Sequence, residues 1–184
     1  MLLNLSLFLF TLQVALVAAL GKLTVANRCS RDMYVWSVDG QGSSRATKIN
    51  ARSNYTEPIR TSCNGCGVTV KVSQTPQLLG GHHSQFEYAI SNNVMYYDIS
   101  FVDCAKGQDA SNCPGHVAGL EIYSTNEKKC DRVTCSGNTY CPTKAYYVDQ
   151  PNQKLGIPEP VYGCGTAGTG ADLVFVLCQN QRTV

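Results

Sequence analysis

The chain reads as an all-β protein. Three observations predict this: Gly, Asn, Ser and Pro punctuate the text about every eight to twelve residues, short β-branched and aromatic runs lie between them, and no window sustains an amphipathic helix. The runs predict strands at Lys22 to Ala26, Met33 to Val38, Val68 to Val72, Gln85 to Ile90, Val94 to Ser100, Leu120 to Tyr123 and Asp172 to Leu177.

Residues Leu2 to Leu20 carry no charged side chain and form an apolar run that ends in the small residues of Val17-Ala18-Ala19. This pattern predicts a signal peptide over residues 1–19, cleaved after Ala19, so that the mature chain starts at Leu20. The polar text after Gly21 has no stop-transfer pattern, so no membrane span is expected in the mature form. The segment from 20 to 184 is the size of one domain. Cys29, Cys63, Cys66, Cys104, Cys113, Cys130, Cys135, Cys141, Cys164 and Cys178 all follow the leader. An even set of ten predicts five disulfides in an oxidising compartment and leaves their pairing open. With a net charge of +2 and no basic run longer than Lys128-Lys129, the composition argues against nucleic acid or anionic membrane as a partner.

Along the chain, Tyr34, Trp36 and Val38 share one face of the second strand, where alternate spacing suits a core or, alternatively, a sugar-stacking surface. Asn54-Tyr55-Thr56 is an N-glycosylation sequon in a polar stretch. Cys63-Asn64-Gly65-Cys66 has the spacing of a redox motif, but it sits in a turn before a strand instead of opening a helix, which predicts a structural bridge end. In Val68 to Val72 the alternation is strict, so the three valines should face a core while Thr69 and Lys71 face water or a partner. His82 and His83 are adjacent and point apart in an extended chain; with His116 the only other histidine, no metal site is expected.

The next two strands flank Ser91-Asn92-Asn93, and Asn tolerates the positive φ of tight hairpin turns. With Asn92 and Asn93 as the turn residues, Glu87 faces Asp98 directly, their Cβ atoms roughly 4.5–5.5 Å apart. Facing carboxylates repel unless a cation, a shared proton or a functional use compensates them. Asp103 extends the acidic patch at the far end of the strand. The spacing resembles the roughly 5–5.5 Å of retaining glycosidases, yet a solvated, screened pair on an exposed face accounts for it equally, and a different turn length would separate the two groups. From Gly107 to Cys141 the text turns polar and holds Cys113, Cys130, Cys135 and Cys141. This predicts a loop-rich excursion, about 105–141, held by bridges rather than burial.

Tyr96-Tyr97-Asp98-Ile99-Ser100-Phe101-Val102-Asp103 resembles the aromatic-Tyr-Asp-Val-Ser-Leu-Val-Asp segment of thaumatin-like proteins. Gln85 to Tyr88 is similar to the strand before it in that family, Cys141-Pro142 with Ala145 to Asp149 to its Cys-Pro-x-Ala-Tyr-Ser-Tyr stretch, and Leu173 to Cys178 to its closing strand. Val35 to Val38, Tyr55 to Glu57 with Arg60-Thr61, and Gly67 to Lys71 look closest to the small fungal branch, the yeast-phase-specific and conidial secreted proteins.

The resemblance implies a thaumatin-like β-sandwich with a short disulfide-rich excursion, and an acidic cleft to which Glu87, Asp98 and Asp103 map. Asp149 falls one residue short of the family spacing. No arginine lies between Ser73 and Gln85 to pair with the acidic cleft, so only His82 or His83 stands there. The implied function is that of a secreted or wall-associated monomer without cofactor or metal. It would bind a cell-wall polysaccharide such as β-glucan, or a host surface protein, as an effector, virulence or spore germination factor. That reading is non-enzymatic; the alternatives are a weak endo-β-1,3-glucanase, with Glu87 as general acid and Asp98 as nucleophile or charge stabiliser, and a glucan-binding antifungal protein.

Overall fold

The computed structural model describes residues 20–78, 82–126, 128–165 and 169–181; the leader lies outside them. Twelve strands run in chain order among the described residues. They are β1 (Lys22–Asn27), β2 (Met33–Asp39), β3 (Gly42–Ser43), β4 (Thr47–Ile49), β5 (Asn54–Pro58), β6 (Gly67–Ser73), β7 (Ser84–Ser91), β8 (Val94–Ser100), β9 (Leu120–Ser124), β10 (Val133–Cys135), β11 (Tyr162–Gly163) and β12 (Leu173–Leu177). One short helix, α1 (Pro151–Leu155), departs from the all-β expectation; Pro at its first turn supplies a preset φ.

Two sheets form. One runs β10-β9-β12-β1-β5; the other runs β11-β8-β7-β6-β2-β3, with β4 also pairing β2. Alternation decides which side chains meet between them. Val70, Phe86 and Ile99 form one facing row of the larger sheet, and all three are buried. Phe86 stacks on Phe175 of the smaller sheet, ring centroids 4.7 Å apart. β12 reads Leu-Val-Phe-Val-Leu without alternation because it is buried on both faces, between β9 and a parallel β1.

All ten cysteines are bridged: Cys29 to Cys178, Cys63 to Cys66, Cys104 to Cys113, Cys130 to Cys164 and Cys135 to Cys141. The disulfide-rich segment gives more to the core than its polar text predicts. Leu120, Ile122, Val133 and Cys135 are fully buried, because β9 and β10 are built into the smaller sheet. Burial and bridges therefore hold it together.

Candidate functional site

The β7–β8 hairpin turns on Asn92 and Asn93, both at positive φ (49° and 62°), and the register sets Glu87 opposite Asp98. Both side chains point away from the core, since their strand neighbours Phe86, Tyr88, Tyr97 and Ile99 point into it. Thr69, the next residue in that row, donates its hydroxyl to Glu87 Oε1 at 2.8 Å. Asp98 Oδ1 is buried and finds no hydrogen-bond partner among the described residues. Burial first, then the Glu87 charge and a hydrogen bond between the two carboxyls, push Asp98 up to about 8. Burial and the facing Glu87 charge thus both favour the protonated form of Asp98. A protonated carboxyl has one O–H to donate, and the remaining carboxyl oxygens accept.

The walls come from distant sequence. β11 pairs Gly163 with Tyr96 along the outer edge of β8 and brings Val161 to the rim. Tyr146 joins the end of β8, donating its backbone amide to Ile99 and accepting at its carbonyl from Phe101. Its hydroxyl is raised by burial, then by a hydrogen bond to Glu159, then by the charges of Asp98, Glu159 and Glu87. Tyr96 (40 % exposed) and Val161 (44 % exposed) flank the carboxyl pair, over a depression of about 310 Å³.

The other expected site residues sit apart from this pair. Asp103 is held by Lys71, 2.6 Å away, with His83 Nδ1 at 4.0 Å. The cation beside Asp103 is therefore Lys71 of β6, which precedes the 73–85 stretch. Asp149 is exposed and pairs with Lys154, while Glu159 is the carboxylate that reaches Tyr146. Trp36 lies on the outer face but is only 4 % exposed, its ring edge-on to His83 at 5.8 Å, so it offers no stacking surface; Tyr96 is the open ring of that face. Asn54 is exposed on the edge strand β5, on the outer side of the smaller sheet, which leaves the sequon accessible.

A sandwich of this topology, laced by five disulfides and carrying an acidic outer sheet, is a thaumatin-like protein, and it is secreted. The chain belongs to the Bys1 family, described as Blastomyces yeast-phase-specific protein, whose model matches residues 10–179. Among its relatives is the secreted thaumatin-like protein calA of Emericella nidulans, 30% identical over 135 residues, 73% of this chain and 74% of that one. An antigenic thaumatin-like protein of Arthroderma benhamiae is 28% identical over 161 residues, 86% of this chain and 71% of its own. The crystal structure of the protein elicitor MoHrip2 from Magnaporthe oryzae has the same fold: its TM-score is 0.61 at 23% identity, over 86% of this chain and 98% of that one.

Proposed function

We propose that this secreted protein acts by binding polysaccharide, a β-glucan of the cell wall, through the outer face of its larger sheet. The observation that supports this is the exposed Tyr96 ring beside the Glu87–Asp98 pair. A sugar ring stacks its C–H face on an aromatic ring while its hydroxyls seek donors and acceptors in the same plane. A carboxyl that carries its proton donates, and carboxyl oxygens accept, so two facing carboxyls can serve both needs. The depression is shallow, which suits an extended polymer lying across strands better than a small molecule held on all sides.

Pull-down of the purified protein on insoluble β-1,3-glucan tests this. The wild type should sediment with the glucan. Tyr96→Ala should weaken binding roughly tenfold, the equivalent of about 1.4 kcal/mol of stacking, and the Glu87→Gln, Asp98→Asn double variant should weaken it further. A wild type that stays in the supernatant with glucan, yet is captured on host cell surfaces, would move the partner to a host surface protein.

A second reading, hydrolysis of β-1,3-glucan, is favoured by one observation: two carboxyls face each other across the hairpin, and the burial of Asp98 favours its protonated form. In that reading Asp98 is the general acid and Glu87, steadied by Thr69, the nucleophile, the reverse of the roles implied by the family pattern. Release of reducing ends from laminarin measures it, and release unchanged in Glu87→Gln removes Glu87 from the chemistry.

A further inference from the structure

We infer that Cys63–Cys66 is a thiol-exchange site, reducible by a dithiol while the other four bridges stay closed, and that its state governs the tip of the β7–β8 hairpin. The argument is independent of any carbohydrate binding.

Access singles this bridge out. Each of the other four has at least one cysteine in the core: Cys29 and Cys178, Cys104 and Cys113, Cys135 and Cys141, and Cys164 of the Cys130 pair are all buried. Cys63 is exposed and Cys66 only half-buried, on the connection between β5 and β6. An attacking thiolate has to reach a sulfur along the S–S axis, and accessible bridges are the labile ones. Chain entropy points the same way. The sequence separation is 3 here, against 6, 9, 34 and 149 for the others, so this bridge restricts the unfolded chain least. Opening it leaves the sandwich intact.

What the bridge holds is local and specific. It bends residues 63–66 into a turn in which Gly65 adopts φ +77°, a conformation glycine takes without penalty. From that turn, Gly65 donates its amide to Ile90 O at 2.7 Å. Asn64 Oδ1 accepts from the Asn92 amide at 2.8 Å, and its Nδ2 donates to Asn92 Oδ1 at 3.3 Å. The bridged turn is therefore a clamp on the hairpin tip, whose strands set the Glu87–Asp98 register.

The exchange balances without any further reactant. One thiolate of the dithiol attacks Cys63 Sγ, an S–S bond to the reductant forms, the Cys63–Cys66 bond breaks, and Cys66 leaves as thiolate. The second thiol of the reductant then attacks the mixed disulfide and releases Cys63. The dithiol ends as a cyclic disulfide, two electrons reduce the bridge, and its two protons finish on Cys63 and Cys66.

The test is a dithiothreitol titration of the native protein, trapped by iodoacetamide and read by peptide mapping. Cys63 and Cys66 should be alkylated together at least tenfold sooner than any other cysteine, with the fold retained by circular dichroism. Hydrogen exchange at the Asn92 amide should then quicken at least fivefold, and Cys63→Ser/Cys66→Ser should reproduce that rate without reductant. If another bridge opens first, or all ten cysteines label in concert, the assignment is wrong. An Asn92 amide that exchanges no faster after reduction overturns the coupling to the hairpin.

Discussion

Lys71 reaches across the sheet face to Asp103, 2.6 Å away, one side-chain row along from the Glu87–Asp98 pair. Both partners keep some solvent contact, so the pair orders the face more than it stabilises the fold. Lys71→Met should lower the unfolding free energy in urea by under about 1 kcal/mol. A loss several times larger would mean that Asp103 is left as a stranded buried charge.

Stability should carry an alkaline limb set by Asp98. Asp98 keeps its proton to about pH 8 in the folded state but only to about 3.9 unfolded, so this group's contribution is present at low pH and lost as pH rises from about 4 through 8. His83 and His116 have the opposite sign. Burial lowers both, so the unfolded chain takes up protons that the folded one refuses, and stability falls as pH drops below about 6.5. Asp98→Asn should flatten the alkaline limb and add roughly 1 kcal/mol at pH 8 by removing the facing charge. Thermal melts of both proteins from pH 5 to 9 decide it; parallel curves would show that Asp98 ionises normally.

The bridges should divide by loop length. Cys29–Cys178 closes nearly the whole domain, with a sequence separation of 149, and chain entropy puts its worth at about 5 kcal/mol against about 2 for Cys63–Cys66. Cys29→Ser/Cys178→Ser should therefore fail to accumulate as a secreted product, while the Cys63, Cys66 double serine variant should be secreted and melt a few degrees lower. Equal secretion of the two variants would contradict the entropic ranking.

At Gly21 the backbone lies so close to its neighbour that an added Cβ would sit 2.1 Å from Ala171 O. The contact cannot be relieved by a side-chain rotation, because the obstacle is backbone locked beside β12, so Gly21→Ala should cost about 3 kcal/mol. Urea unfolding of the variant measures this; a change under half that size would show that the segment before β1 swings aside.

Residues that speak for their own strand were legible. Val68, Val70 and Val72 alternate, and Asn92-Asn93 marks a primed turn, so the carboxyl register followed from local text. β5 escaped because its inward positions are Tyr55 and Glu57, not aliphatics; Glu57 is bonded by Ser37, Tyr55 and Arg60, and this polar network replaces the apolar signal that reading by period depends on. Tyr146, Glu159 and Val161 are far from the hairpin in sequence. They join it only through the pairing of β11 and of Tyr146 with β8, contacts to which no local pattern points. Trp36 shows the limit from the other side. Its strand face was legible; its cover beside His83 was not.

The place of β12 sets a schedule for biosynthesis. Among the described residues the last strand is inserted between β9 and β1, the first of them. While the polypeptide is threading through the secretory channel, β1 has only β5 to pair with, and two strand edges stand open where β12 will go. A chain that stops before Leu173 would hold both residues of the carboxyl pair and have no strand to join β9 to β1. Insertion of β12 is thus the step that closes the smaller sheet.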